Sequence, residues 1–333
     1  MGAFLEAEKK RQAAWKVNAP WLSDAARSDG RYREGANTGR TYPFCLNESF
    51  SEENLFPGIR ERALEYFDAS RIPWHDGVNG KPSSHLCDSQ VCCVNFLAPF
   101  MDKPQAIRSL LQPLFPGIRT ILPMEDRLPL TFVSFEWIGL KDYLGECRRS
   151  DGRRTRGANA TSADAAIMFD DDKNKRYIVL IEWKYTESYS PHSKAISARN
   201  TDRTVTYRRF WTDGPLDTTV VPHFGDLFYE PFYQLMRQQM LAHELEKSRE
   251  LGAGEVIVLH VAPATNQDFQ YVTSPGLRHV GKSVTAVWKQ ILRDPSRFVS
   301  VTTSQVFGTF MKSDFPQLRE WKDYLVNRYA SII

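Results

Sequence analysis

Three side chains in one short stretch have the types and spacing to do chemistry. In "TSADAAIMFDDDKNKRYIVLIEWKYTE" (residues 161–187), Asp164 opens one apolar run, and Glu182 and Lys184 end a second. Side chains alternate faces along a strand. Ile178, Leu180, Glu182 and Lys184 therefore share one face, as do Asp164, Ala166 and Met168 on the preceding strand. If Asp171–Lys175 forms a five-residue hairpin loop, Asp170 pairs with Arg176 and Asp164 falls opposite Glu182. Cβ atoms of such partners lie about 5 Å apart, close enough for two carboxylates to share one cation. Two like charges beside Ile178 and Leu180 repel unless they are paired or metallated. A hard divalent ion, Mg²⁺ with Mn²⁺ as a substitute, is the natural partner of carboxylate oxygens. Lys184 stands on the same face, where it can activate a water or stabilise a developing phosphoryl charge. The set suits metal-assisted hydrolysis of a phosphodiester.

The Glu-x-Lys pattern alone carries little weight, because the chain also has it at Glu8–Lys10 and Glu320–Lys322. Glu8 lies in a polar terminal helix, and Leu318, Trp321, Leu325 and Tyr329 give Glu320 a helical setting. Only Glu182 combines an apolar strand with an Asp on the strand before it. The competing reading of Glu182–Lys184 is a structural salt bridge. On the same register, Asp171 and Asp172 only turn the hairpin in solvent, and Asp170 closes it.

The elements that must position these residues read as α/β. A short helix and an irregular arm fill 1–45. Helices are expected at 51–69, opened by a capping Ser51; at 87–100, ended by Pro99; and at 104–115. Strands follow at 128–139, 162–170 and 176–185, then an amphipathic helix at 229–250 and a buried strand at 255–263. Further on come a helix near 280–294, a strand at 298–302 and a helix from about 316. This gives an N-terminal arm and helical extension (1–86), a core (87–310) with a long insertion (185–228), and a C-terminal helix (311–333). A net charge of +3 is too small to imply nucleic-acid binding without local clustering. No apolar run reaches the roughly 20 residues that span a bilayer, so no membrane is expected. The N-terminus lacks the apolar core of a signal peptide, and Glu6 breaks a myristoylation signal, so a cytoplasmic location is expected. The five cysteines form no CxxC pair; buried thiols are favoured over a zinc site built from His85, Cys87 and Cys92.

Asp164, seventeen intervening residues and then Glu182-Trp183-Lys184 on adjacent strands resemble the PD-(D/E)XK nuclease superfamily, which includes many restriction endonucleases. The usual Pro before the Asp is replaced by Ala163. More narrowly, "SSHLCDSQVCCVNFLAPF", "FEWIG", "RGANATSADAAIMF" and "IEWKYTE" are similar to a group of restriction-endonuclease-like bacterial proteins. The resemblance implies a central mixed sheet flanked by helices in the order αβββαβ. It also implies Mg²⁺ on Asp164 and Glu182, with Lys184 assisting the attacking water. An upstream acid or amide is common in the superfamily: Glu136 or Gln90 fits, and buried Glu is rare without a partner, which favours Glu136 as a further ligand. The competing role for Glu136 is a pair with a nearby arginine. Gln234, on the helix after the Lys strand, is a candidate to face the site.

Two basic segments flank the motif. One carries Arg148, Arg149, Arg153, Arg154 and Arg156; the other carries Lys194, Arg199, Arg203, Arg208 and Arg209 among Tyr207, Phe210 and Trp211. Charge runs usually form solvated surface, but two beside one phosphoryl-transfer site suit phosphate-backbone contact with stacking. His75 and His85 read as loop histidines with local hydrogen bonds. The leading expectation is a Mg²⁺-dependent endonuclease acting on DNA, in bacterial defence or DNA processing; cutting both strands would favour a homodimer. The other is a non-catalytic module that binds nucleic acid or a protein partner, and RNA is a target open to either.

Overall fold

In the computed structural model, which describes residues 2–32, 39–125, 129–147, 151–158, 160–198, 200–221 and 223–333, a six-stranded mixed sheet organises the chain. Its strands are β1 (Ile118–Leu122), β2 (Ser134–Trp137), β3 (Ala163–Asp171), β4 (Arg176–Trp183), β5 (Glu255–Ala262) and β6 (Phe298–Thr302). The helices used below are α1 (Ala3–Asn18), α2 (Pro57–Ser70), α3 (Ser89–Leu97), α4 (Pro104–Leu111), α5 (Phe232–Ser248), α6 (Val284–Ile291), α7 (Thr303–Met311) and α8 (Arg319–Tyr329). The sheet order is β1–β3–β4–β5–β6, and β2 lies against the other end of the β3 edge that β1 covers. β1, β2 and β4 run antiparallel to β3; β4, β5 and β6 are mutually parallel and need the crossovers that α5 and α6 provide.

The β3–β4 hairpin sets the register. Asp171 accepts from the backbone N–H of Lys173 (2.9 Å) and of Lys175 (2.8 Å), while Asn174 takes the left-handed conformation that Asn tolerates. Arg176 closes the turn with two bonds to the Asp170 carboxylate, at 2.9 and 3.2 Å. Alternation then sorts β4. Val179, Ile181 and Trp183 join a core with α2, α3, α4, α7 and α8, and Ile178 and Leu180 join a second core with α5 and α6. Glu182 is on the second face.

Several expected boundaries change. The helix expected from Ser51 starts at Pro57, because Ser51 belongs to a 3₁₀ segment (Glu48–Asn54) and Pro57, which has no N–H to lose, takes the first helical position. The strand expected at 128–139 shortens to Ser134–Trp137, with 126–128 outside the described residues. A strand that was not anticipated, β1, precedes Pro123; buried Ile118 and Ile121 flank exposed Arg119 and Thr120, so it lacks strict alternation. Helix α7 also went unanticipated, although Thr302 and Gln305 form a reciprocal capping box at its start. Asp171 is buried rather than solvated, because its carboxylate is the internal acceptor of the turn. Glu8, expected on a polar helix, is fully buried and accepts from the Tyr185 hydroxyl.

Candidate active site

The hairpin pairs residues from Asp170↔Arg176 to Ala165↔Ile181, and one further step sets Asp164 beside Glu182. On the other side of β3, Phe135 and Trp137 pair with Ala165 and Ala163, which brackets Glu136 against Asp164. Three carboxyl groups therefore form a row across β2, β3 and β4. Glu136 has a φ of 46°, a conformation that side chains other than Gly, Asn and Asp seldom adopt. Its two oxygens accept from Gln90 Nε2 (2.9 Å) and Ser162 Oγ (2.7 Å). Asp164 Oδ2 accepts from the Trp183 backbone N–H at 2.6 Å, which ties β3 to the end of β4. Lys184 Nζ donates to Glu182 Oε1 (2.6 Å) and to Gln234 Oε1 (2.8 Å), and the Tyr189 hydroxyl also donates to that Gln234 oxygen (3.1 Å).

This row is short of positive charge. Burial pushes the Asp164 carboxyl well above the usual carboxylate range; Glu182 and Glu136 add to the rise, and Lys184 opposes it. Burial also raises Glu136, helped by the charge of Glu182, against the hydrogen bonds from Ser162 and Gln90. Burial works against the Lys184 ammonium, yet Glu182 and the other nearby acidic groups hold it well above its ordinary range, so it stays charged. Asp164 Oδ1 and Glu182 Oε2 accept no hydrogen bond from the described residues. Among those residues, no three His, Cys, Asp or Glu side chains converge as a ready-made metal cage. Asp164 and Glu182, each with one such oxygen, are the residues that would hold a hard divalent ion here.

A family model described as "Restriction Endonuclease associating with ARP" matches residues 9–330. The chain belongs to this family. No match is found among curated proteins or among solved structures. In this restriction-endonuclease family member, the αβββαβ order runs α3, β2, β3, β4, α5, β5, with β1 added along the β3 edge.

Gln90 and Gln234 both reach the row, the first through Glu136 and the second through Lys184. The arginines divide. Arg156 is spent inside the fold, bonded to Glu125 (2.6 Å) and Ser134 (2.5 Å). Arg154 holds the carbonyls of Ile138, Gly139 and Lys141 (3.1, 3.1 and 2.6 Å). Arg209 is exposed but donates to Tyr143 O. Arg153 and Arg208 are exposed, and Arg203 lies over the Tyr233 ring. Arg148, Arg149 and Arg199 lie outside the described residues. His75 is exposed and hydrogen-bonds Asp88, which with Asp76 and Glu136 raises its pKa to about 9. Buried His85 accepts from Cys87 N, and Cys87 and Cys92 are free thiols raised by burial.

Sequence reasoning missed Arg237, one helical turn after Gln234 on α5. With Lys194, Arg203, Tyr207 and Tyr233 it lines a cleft of about 640 Å³, whose rim also carries Glu146 and Glu230. Arg237 Nη1 reaches Thr161 Oγ1 (3.4 Å) just before β3, and its buried Nε has no hydrogen-bond partner among the described residues. The spacing i, i+3 from Gln234 was the available signal.

Proposed function

We propose that this protein is a divalent-metal-dependent endonuclease that hydrolyses DNA phosphodiester bonds, in bacterial defence or DNA processing. The observation that carries this reading is the row Glu136–Asp164–Glu182, with one ammonium against three acids. Asp164 and Glu182 would hold Mg²⁺ through the oxygens that accept no hydrogen bond from the described residues; Glu136, with both oxygens engaged, adds charge more than a free ligand atom. When bound, the ion supplies Lewis acidity toward the phosphoryl group and lowers the pKa of its water. Lys184 is a fixed cation aimed by Glu182 and Gln234, able to donate to a phosphoryl oxygen or orient the attacking water. The Trp183 N–H fixes Asp164 so that its other oxygen stays available. The neighbouring cleft supports a path for the backbone, since Lys194, Arg203 and Arg237 supply charge and Tyr207 and Tyr233 supply rings. This reading moves the backbone contacts away from Arg154 and Arg156, which the fold consumes.

The test is incubation of supercoiled plasmid, linear single-stranded DNA and RNA with Mg²⁺ or Mn²⁺, against EDTA. The wild-type chain is expected to cut DNA only with metal. Asp164→Asn, Glu182→Gln and Lys184→Ala should each lower the rate by about a thousandfold while thermal unfolding stays cooperative. Salt-sensitive DNA binding without cleavage, indifferent to all three changes, would replace this proposal with a non-catalytic binding module.

A further inference from the structure

The cleft beside the acid row has two walls of different origin. Arg237 and Tyr233 line it from α5, and Lys194 and Arg203 line it from the 185–228 insertion. A bridge between Ile196 and Asp202 folds the insertion back on itself, and Arg203 Nη1 donates to Lys194 O at 3.0 Å, so one short hairpin carries both cations. Arg203 also lies over the Tyr233 ring at 5.8 Å, and neither it nor exposed Lys194 meets a carboxylate among the described residues. Arg237 comes nearest to one, Glu146 Oε1 at 4.0 Å. That carboxylate already accepts from Thr161 N and Oγ1 and from the Tyr207 hydroxyl. The Arg237 side chain is 25% exposed, so its charge is not sealed inside the fold. The other acid on the cleft, Glu230, is pushed up by burial, against the pull of Arg237 and Lys184.

Helix α5 joins this cleft to the row. Gln234, Arg237 and Gln238 are three and four residues apart, neighbours on one helix face. Gln234 accepts from Lys184, Arg237 donates to Thr161 Oγ1, and Gln238 donates to the carbonyl of Ser162, whose hydroxyl holds Glu136. Thr161 and Ser162 lead directly into β3 and Asp164. An anion on Arg237 is therefore a neighbour of the row.

The form of the cleft separates two kinds of strand. A duplex is read by a helix or ribbon that projects into one of its grooves. Here the cations stand on the walls of a recess of about 640 Å³, and a charged recess is what the backbone of an unpaired strand follows. Unpaired bases also present their faces, which take aromatic or apolar cover. Among the lining residues of the insertion stand two exposed apolar side chains, Ile196 at 52% and Val205 at 69%. We propose that the cleft holds an unpaired DNA strand, with the phosphate next to the cut on Arg237 and bases against Ile196 and Val205. This names the substrate class of the acid row and rests on the DNA-cleaving reading above.

Fluorescence anisotropy of the intact protein in EDTA separates binding from cutting. The probes are a short labelled DNA single strand, its blunt duplex and an RNA strand of the same sequence. The DNA single strand should bind about tenfold more tightly than the duplex at equal salt, the worth of one covered base. Arg237→Met should weaken it about tenfold, as for a lost charge-assisted contact, and flatten the logarithmic salt dependence by about 0.7. Lys194→Gln, at an exposed position, should weaken it severalfold. Arg119→Gln, exposed beside the hairpin turn at the other end of β3, should change nothing. The proposal is overturned if the duplex binds as well as the single strand or if the RNA strand binds more tightly than the DNA. It is also overturned if Arg237→Met and Lys194→Gln both bind like wild type, or if Arg119→Gln weakens binding as much as they do. Failure of the nuclease reading looks different. A single-strand preference with no metal-dependent cutting leaves the cleft standing and removes the role of the row; metal-dependent cutting without that preference removes the cleft proposal alone.

Discussion

Lys184 and Tyr185 are neighbours in sequence, yet they lead into two buried polar clusters that are completed in opposite ways. Tyr185 opens a knot in which its hydroxyl donates to Glu8 (2.8 Å) and accepts from Gln12 (3.1 Å), and Gln12 in turn accepts from Arg328 Nε (3.1 Å). The four remaining guanidinium N–H bonds go to Asn54 O (2.7 Å), the Tyr324 hydroxyl (2.6 Å), Asn54 Oδ1 (2.5 Å) and Leu86 O (3.1 Å). All five donors of Arg328 are met by protein, with Trp15 and Tyr329 rings beneath the charge. Lys184 opens the acid row, where three carboxyl groups share one ammonium and two carboxylate oxygens accept no hydrogen bond from the described residues. The contrast teaches that a buried charge by itself marks nothing. What distinguishes the row is that three carboxyl groups face one ammonium, and what distinguishes the knot is that every guanidinium donor has a protein acceptor.

The largest stability effect expected is on the knot. Arg328→Met leaves Asn54 Oδ1, Gln12 Oε1 and the Leu86 carbonyl without their donor, and breaking such a buried network costs about 3–5 kcal/mol. Urea unfolding should register that loss, with the cleavage rate per folded molecule unchanged. A loss under about 1 kcal/mol would mean that the knot relaxes onto water and is not structural. A smaller effect is expected where the two clusters differ in kind. Gln234→Ala should lower kcat about tenfold, the worth of one positioning hydrogen bond, with KM and unfolding little changed, because Gln234 acts by holding Lys184. A change in KM alone would place Gln234 against the nucleic acid instead.

How much of this was legible in the sequence follows the range of the interactions. Strict alternation in 163–183 and a five-residue turn were enough to place Asp164 beside Glu182, because the hairpin is local and one face of each strand is apolar. Glu136 was legible as a buried acid, but its left-handed backbone and its hydrogen bonds to Gln90 and Ser162 depend on tertiary packing. The arginines show the limit. Arg156 and Arg203 look alike in sequence, and only the fold sends one to Glu125 and the other to an open cleft. β1 and α7 escaped for a related reason. The first is an edge strand with two exposed residues between buried Ile118 and Ile121, and the second is a short helix of nine residues whose start is marked by a capping box.

The finest test of the comparison is an effect of unusual sign, the smallest of the set. Neutralising a buried charge in the knot should destabilise the protein; neutralising Asp164 should stabilise it when metal is absent. The Asp164 carboxyl is raised by burial and by Glu182, so between the ordinary carboxylate pKa and its raised value the folded chain binds a proton that the unfolded chain has released. Stability of the metal-free protein therefore falls as pH climbs through that window, and Glu136, shifted the same way, adds to the fall. Below the ordinary carboxylate range both states are protonated and the penalty vanishes. Asp164→Asn removes the titration while its amide oxygen can still accept from Trp183 N. In EDTA, its melting temperature should match the wild type near pH 4 and exceed it by a margin that widens toward neutrality. In Mg²⁺ the order should reverse, because only the wild type gains from binding the ion. A margin that does not grow with pH would mean that the row already carries its own countercharge, and the proposed divalent ion would lose its main support.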